Sequence, residues 1–355
     1  MPLRNLISIE DVSLNCWNEL YKTCCDIIAR PGDYLDACRG KVMASLFFEP
    51  STRTCFSFQA AMQRLGGSVF GFSDPRSTSV SKGETLADTI RIAGAYADTA
   101  VIRSPYEGAA FAASLYSEIP LINAGDGGHF HPTQTLADLT TIFQRRGKIE
   151  NLSVGLCGDL KYGRTVHSLV MALAKFPGIK FYLISPDELK IPEYMLHYML
   201  LHGQSYEEVA SLEDVLPQLD ILYMTRIQRE RFIDHLEYEK LCGCYILDRK
   251  KLSAAKSDML VMHPLPRVDE IAADVDYDPR AVYFEQVRLG MYIRMALLLQ
   301  FTQLKREAPP RPVPNSELHC ENHNCITTVE PNLPPITVGT KERFCAYCDK
   351  KILTF

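Results

Sequence analysis

Short apolar runs alternate with amphipathic stretches through most of this chain, and that alternation constrains its fold more than any other feature. A brief apolar run suits a strand buried on both faces, and an amphipathic stretch between two such runs suits the crossover helix of a parallel βαβ unit. After a helical opening over Val12 to Arg30, the runs Val42 to Phe48, Ser68 to Phe72, Thr99 to Arg103 and Pro120 to Ala124 make one set of strands, with helices near 52–66, 84–97 and 107–117. A second set follows at Ser153 to Cys157, Lys180 to Ile184, Ile221 to Met224, Tyr245 to Leu247 and Met259 to Met262. Val166, Leu169, Val170, Leu173 and Phe176 carry the spacing of a buried helical stripe within that set. Thr133 to Arg146 is expected to link the two sets as a helix, and Pro279 to Leu304 to close the second. The class expected is α/β, with two doubly wound parallel-sheet domains and a small C-terminal four-cysteine zinc-binding domain.

Composition narrows the partners. The 355 residues carry 38 Lys+Arg against 43 Asp+Glu, a formal charge of −5, which gives no general pull toward nucleic acid or an anionic membrane. The expected partner is a small molecule. No apolar run approaches the roughly 18 residues of a transmembrane helix, and Met1 to Asp11 lacks the apolar region of a signal peptide, so a cytoplasmic setting is expected. Of 12 cysteines, eight (Cys16, Cys24, Cys25, Cys38, Cys55, Cys157, Cys242, Cys244) are scattered and read as small buried hydrophobes, with Cys242 and Cys244 too close in sequence for a usual zinc pair.

Polar clusters sit where strands end. In Phe48-Glu49-Pro50-Ser51-Thr52-Arg53-Thr54 an apolar strand stops at Pro50 and hydroxyl residues open a helix whose apolar face is Phe58, Ala61, Met62 and Leu65. Free N–H groups and the positive dipole end at a helix start bind phosphate, and Ser51, Thr52, Arg53 and Thr54 add donors there. An N-cap serine beside a surface arginine is the plainer reading, and the segment alone does not choose. Ser77 to Glu84 is a hydroxyl-rich loop carrying Lys82, either a ligand-covering loop or a solvated connection. Arg103 ends another strand, and Asn123-Ala124-Gly125-Asp126 runs into His131-Pro132-Thr133-Gln134. Ligands of parallel α/β sheets bind beyond the carboxyl ends of strands, so Arg103, His131 and Gln134 are placed to serve one ligand, whereas His129 is read as structural.

The second set repeats the pattern. Gly158 to Thr165 follows one strand, Thr225-Arg226-Ile227-Gln228 another, and His263-Pro264-Leu265-Pro266-Arg267 a third. Two arginines at separate strand ends suit a ligand with more than one carboxylate, because guanidinium grips carboxylate bidentately. Gly155-x-x-Gly158 is an incomplete dinucleotide fingerprint, and the chain has no Gly-x-Ser-x-Gly elbow, Walker loop or His-Glu-x-x-His helix. Positioning and electrostatics are the chemistry left.

Together, Ser51-Thr52-Arg53-Thr54, Lys82-Gly83-Glu84-Thr85-Leu86-Ala87-Asp88-Thr89, His131-Pro132-Thr133-Gln134, Gly158-Asp159-Leu160-Lys161-Tyr162-Gly163-Arg164-Thr165 and His263-Pro264-Leu265-Pro266-Arg267 closely resemble the catalytic chain of aspartate transcarbamoylase, over roughly residues 1–305. The resemblance implies transfer of the carbamoyl group of carbamoyl phosphate to the α-amine of L-aspartate, giving N-carbamoyl-L-aspartate and phosphate in pyrimidine (UMP) synthesis, with no cofactor needed for the chemistry. By it, Ser51, Thr52, Arg53 and Thr54 would hold phosphate with help from Arg103. Thr54, Arg103 and His131 would donate to the carbamoyl oxygen, and Gln134 would hold the carbamoyl amide. Arg164, Arg226 and Gln228 would grip aspartate, while Leu265 and Pro266 would offer backbone carbonyls to the reacting nitrogen groups.

Lys82 and a hydroxyl neighbour would come from the adjacent subunit of a homotrimer with shared active sites, so that Arg53, Thr54, Lys82, Arg103 and His131 form the implied catalytic set. The family's serine four residues before the lysine is Thr78 here, which leaves either Thr78 or Ser79 as the contact. The implied domains are 1–140 for carbamoyl phosphate, with the return helix about 280–305, and 141–279 for aspartate. Ornithine transcarbamoylase is the rival within the family, but Arg226-x-Gln228 and His263-Pro264-Leu265-Pro266 resemble the aspartate type, and a cationic side chain would find Arg226 repulsive.

Beyond the proline-rich linker 306–316, with Pro309, Pro310, Pro312 and Pro314, lies a module over 317–355. Cys320-x4-Cys325 and Cys345-x2-Cys348, separated by nineteen residues, suit one tetrahedral structural Zn2+ whose binding is coupled to folding. Four thiolates complete that shell without His319 or His323. A zinc ribbon alone also fits a non-catalytic scaffold protein, yet Lys341, Arg343, Lys350 and Lys351 are too few basic residues for nucleic acid. The cysteine spacing with Glu330-Pro331 resembles the zinc domain of the aspartate transcarbamoylase regulatory chain. That resemblance implies a fused, shortened regulatory element that braces subunit contacts and joins two trimers or more. No segment of this sequence resembles the regulatory chain's nucleotide-binding domain.

Overall fold

In the computed structural model of the protein, residues 3–227, 245–310, 313–330, 332–340 and 342–352 are described. The chain divides into two units, Met1–Thr133 with Met291–Phe355, and Gln134–Gly290. Gln228, Cys242 and Cys244 lie outside the described residues.

The first unit opens with α1 (Leu14–Ala29), whose start is capped by the Ser13 hydroxyl accepting from the Cys16 N–H. Its sheet holds β1 (Val42–Phe47), β2 (Ser68–Phe72), β3 (Thr99–Ser104) and β4 (Leu121–Asp126), all parallel, in the order β2-β1-β3-β4. Helices α2 (Thr52–Arg64), α3 (Leu86–Tyr96) and α4 (Ala109–Ser114) join the strands. β3 and β4 are buried along their whole length, which is why Ala100-Val101-Ile102 and Leu121-Ile122 are apolar without alternation, whereas β2 is a largely exposed edge.

The second unit contains most of α5 (Pro132–Arg146), then β5 (Ser153–Cys157), α6 (Arg164–Leu173), β6 (Lys180–Ile184), α7 (Glu193–Leu201), β7 (Ser205–Val209), β8 (Ile221–Met224), α8 (Arg249–Leu252) and β9 (Leu260–Met262). The chain leaves this unit within α9 (Tyr283–Phe301). Its five strands are parallel, in the order β7-β6-β5-β8-β9. β7 was not expected: Tyr206, Glu207 and Glu208 give it no apolar run, and as an edge strand it needs none. Among the described residues the expected strand Tyr245 to Leu247 is instead a single bridge from Leu247 to Ile271. Asp248 directly after it caps the start of α8, its side chain accepting from Lys251 N, so the chain turns into a helix just past Leu247.

The C-terminal module packs into the core of the first unit. It contributes α10 (Ile326–Val329) and the antiparallel pair β10 (Thr337–Val338) and β11 (Phe344–Cys345). Cys325, Ile326, Cys345, Tyr347, Cys348 and Ile352 share one buried cluster with Ala109, Ala110, Ala112 and Ala113 of α4 and with Leu86 and Ile90 of α3. The alanines let the two backbones approach closely. Glu107 is taken on both sides of its peptide, its N–H donating to Asn324 O at 2.8 Å and its carbonyl accepting from Ile326 N at 2.9 Å. That capture shortens α4 from the expected 107–117, because Glu107 is spent on the module and Gly108 becomes the helix cap at φ +81°.

Three polar ties add to it: Asn322 Nδ2 to Glu107 Oε2 at 2.7 Å, Leu86 N to Glu330 Oε1 at 2.8 Å, and His129 between Asp126 and Asp349. Burial opposes the charge on His129, but the two carboxylates prevail and raise its pKa to about 10. A Cβ at Gly108 would come within 2.3 Å of Tyr347 O, against backbone that has no rotamer to yield. Gly108→Ala is therefore expected to lower stability by about 2 kcal/mol or more, from the left-handed φ and the lost seating together. A urea titration beside the parent measures it.

Candidate functional site

Each parallel sheet has one switch point, where the strand order reverses and the loops leaving two neighbouring strands diverge to make room for a ligand. In the first unit it lies between β1 and β3, and in the second between β5 and β8. Both are where the sequence concentrates its cationic strand ends.

At the first switch point β1 runs into Glu49, Pro50 and the start of α2. Ser51 is the N-cap residue of α2, but its side chain makes no capping hydrogen bond, so the plain N-cap reading fails in its hydroxyl part. The first N–H groups of a helix have no partner within it, and among the described residues no side chain caps them here, which leaves them to an anion. Thr54 is buried, while Thr52 and Arg53 are exposed. Arg103, paired in register with Phe47, is buried: its Nη2 lies 2.8 Å from Glu49 Oε2 and its Nη1 donates to Ala124 O at 3.1 Å. Its Nε is buried with no hydrogen-bond partner among the described residues. Such an orphaned cationic donor costs free energy until an acceptor arrives.

Burial pushes the Arg103 pKa down and the Glu49 charge holds it up; Arg53 is lowered first by partial loss of hydration and then by the charge of Arg103. Two guanidinium groups that repel each other beside an open helix start make an anion seat. His131, buried, closes the approach to α5, with its Nδ1 3.5 Å from the Thr133 hydroxyl.

The loop bearing Lys82 forms two short 3-10 turns, Pro75–Ser77 and Ser79–Lys82. The Thr78 hydroxyl is used locally, donating to Pro75 O at 2.7 Å and accepting from Val80 N at 3.2 Å. Ser79 and Lys82 are exposed, and no ion pair engages Lys82 among the described residues.

In the second unit, Gly158 leaves β5 at φ +115°, where a Cβ would meet Thr225 O at 2.3 Å. The loops after β5 and β8 are thus laid side by side: Thr225 Oγ1 donates to Cys157 O at 3.0 Å and accepts from Asp159 N at 3.1 Å. Arg164 is the first residue of α6 and Arg226 follows Thr225, both half-buried. Leu265 adopts φ +55° ahead of a cis bond to Pro266, and its N–H donates to His263 Nδ1 at 2.8 Å. Gln134 Nε2 donates to Asp138 Oδ1 at 2.8 Å. Sequence reasoning missed Glu49 and Asp138.

The Sγ atoms of Cys320, Cys325, Cys345 and Cys348 all lie within 4.8 Å of one another. Cys320 and Cys348 are 3.5 Å apart and Cys325 and Cys345 3.8 Å, far beyond a disulfide bond of about 2 Å. Four sulfurs at the usual zinc–sulfur distance around a tetrahedral ion stand about 3.8 Å apart. The donor set therefore fits a single metal ion.

The family models for aspartate/ornithine carbamoyltransferase match in two parts, the carbamoyl-P binding domain over residues 4–144 and the Asp/Orn binding domain over 150–301. Both matches end before Cys320. The aspartate carbamoyltransferase catalytic subunit of Clostridium botulinum is 56% identical over 296 residues, 83% of this chain and 96% of that protein. That of Lachnoclostridium phytofermentans is 56% identical over 298 residues, 84% and 97%. Among solved structures, the catalytic subunit of M. jannaschii aspartate transcarbamoylase aligns with TM-score 0.79 at 46% identity, covering 84% of this chain and 97% of that one. The Trypanosoma cruzi enzyme in complex with N-(phosphonacetyl)-L-aspartic acid aligns with TM-score 0.80 at 39% identity, covering 84% and 96%. Among the described residues no helix is long and apolar enough to cross a membrane. With both domains matched and relatives this similar over nearly their whole length, the chain belongs to the aspartate/ornithine carbamoyltransferase family, and its first two domains are those of an aspartate carbamoyltransferase.

Proposed function

We infer that this chain joins carbamoyl phosphate to L-aspartate as an aspartate carbamoyltransferase of pyrimidine biosynthesis. The observation that carries the reading is the anion seat at the first switch point, with buried Arg103, its orphaned Nε and the uncapped start of α2. Ser51, Thr52, Arg53 and Thr54 take the phosphate there. Arg103, Thr54 and His131 donate to the carbamoyl oxygen, where negative charge grows as the amine adds to the carbon. The bond from that carbon to the phosphate oxygen then breaks, and the departing phosphate takes the amine proton. Arg164, Arg226 and Gln228 bind the carboxylates of aspartate, and Gln134 with the Leu265 and Pro266 carbonyls binds the nitrogen groups. Two anions are held together by fixed cations, so the chemistry calls for orientation and charge rather than a cofactor.

Lys82 and Ser79 are read as serving a neighbouring subunit of a homotrimer, which suits their exposure on a capped loop; Thr78, with its hydroxyl engaged locally, is the weaker contact. The four cysteines are read as a structural zinc site in a module like that of the regulatory chain, one that braces subunits and joins trimers. Reduced thiols suit a cytoplasmic setting. Assaying L-aspartate and L-ornithine side by side with carbamoyl phosphate tests the central reading. Aspartate is expected to give a ureido product and ornithine little, because Arg226 repels a cationic side chain. Ornithine turnover above aspartate turnover overturns it.

A further inference from the structure

Asp138 lies fully buried on α5 in the second unit, and its partners include three side-chain donors. Gln134 Nε2 donates to its Oδ1 at 2.8 Å, Gln286 Nε2 donates to the same oxygen, and the Tyr223 hydroxyl donates to Oδ2 at 2.9 Å. Gln286 reaches on with its other end, where Oε1 accepts from His263 N at 3.2 Å. His263 Nδ1 accepts the Leu265 N–H at 2.8 Å, and its Nε2 faces Glu270 Oε1 at 2.7 Å. One run of hydrogen bonds thus joins Gln134 to the Leu265–Pro266 turn through Asp138.

The polarity of that run has a chemical result. An amide nitrogen only donates and a carboxylate oxygen accepts, so a glutamine whose Nε2 is held by Asp138 has its Oε1 left over as an acceptor. The network itself assigns the amide orientation. Burial, followed by the Asp138 charge and hydrogen bond, keeps the Tyr223 pKa well above its ordinary value, so this phenol remains a donor. An amide in its place brings an NH2 that donates where the carboxylate accepted, so at least one of these three donors must turn away or lose its partner.

We infer that Asp138 is a positioning residue that turns acceptors, Gln134 Oε1 and the Leu265 and Pro266 carbonyls, toward the NH2 of the carbamoyl group, and so sets a preference for carbamoyl over acyl phosphates. The inference rests on the reading of Gln134, Leu265 and Pro266 given above. Acetyl phosphate carries a methyl where carbamoyl phosphate carries NH2, and a site built of acceptors rejects a group that offers them no proton.

The test measures kcat and KM with L-aspartate for carbamoyl phosphate and for acetyl phosphate, in the parent, Gln134→Ala, Asp138→Asn and Gln286→Met. Asp138→Asn is expected to lower the ratio of the two kcat/KM values about ten-fold or more, through carbamoyl phosphate alone. A merely structural loss would lower both substrates alike and leave the ratio intact. Gln286→Met keeps Asp138 and the side-chain volume, is expected to lower the ratio in the same direction, and decides the matter if Asp138→Asn does not fold. An unchanged ratio in folded Asp138→Asn, or otherwise in Gln286→Met, overturns the inference alone when Gln134→Ala does lower it. An unchanged ratio in Gln134→Ala, or a parent that forms no ureido product, overturns the underlying reading and this inference with it.

Discussion

Arg103→Ala is expected to lower turnover about 10²-fold or more while the protein stays folded. The reason lies in where the guanidinium is held. β3 is fully buried, so the strand delivers Arg103 with little freedom, and its contacts to Glu49 and Ala124 O fix two of its nitrogens before any ligand arrives. A donor fixed beforehand costs no reorganisation when charge builds on the carbamoyl oxygen, which is why its removal should weigh on kcat more than on KM. The deletion also leaves Glu49 half-buried beside the phosphate seat, a like charge where the parent has a neutralised one. Arg103→Lys should recover only part of the loss, since an ammonium cannot reproduce the planar fork. Steady-state rates within about a factor of two of the parent would refute the role.

Cys325→Ser is expected to strip the bound metal and lower the midpoint of thermal unfolding by about 5 °C or more. Cys325 is fully buried and forms a bridge to Glu107, and its neighbours Ile326 and Tyr347 belong to the same core as α3 and α4. A module of this size has too little core to stand unaided, so removing an ion held by the four cysteines should unfold it and uncover the α4 alanines. Metal analysis should find one zinc per parent chain and none in the variant, and a chelator should reproduce the shift. A sizing column run on both proteins reads the bracing of subunits. Parent protein free of metal, with an unfolding midpoint equal to that of the variant, would defeat the zinc reading.

What was legible in the sequence follows from how each feature is encoded. β1, β5 and β6 could be read because strands covered on both faces must be apolar at nearly every position, as in Val42–Phe47 and Lys180–Ile184. β7 could not, because an edge strand carrying Glu207 and Glu208 has the composition of a loop. The cationic strand ends could be read because an arginine just after an apolar run is a local contrast, as at Arg103 and Arg226. Glu49 and Asp138 have no such mark among 43 acidic residues; what distinguishes Asp138 is partners 85 and 148 residues away, and only the fold brings those together. The four cysteines were legible from spacing, but their seat against Glu107 and Gly108 was not, since nothing in a six-residue helix of four alanines, one phenylalanine and one serine names its cover.

The spacer 306–316 keeps the cysteine module on the same chain as the surface where it docks. Its rebinding is then governed by tether length, at an effective concentration on the order of millimolar, whatever the amount of protein in solution. Dilution that would separate a freely dissociating subunit leaves this one in place, so the module can be loosened by chemistry at its cysteines but not by scarcity.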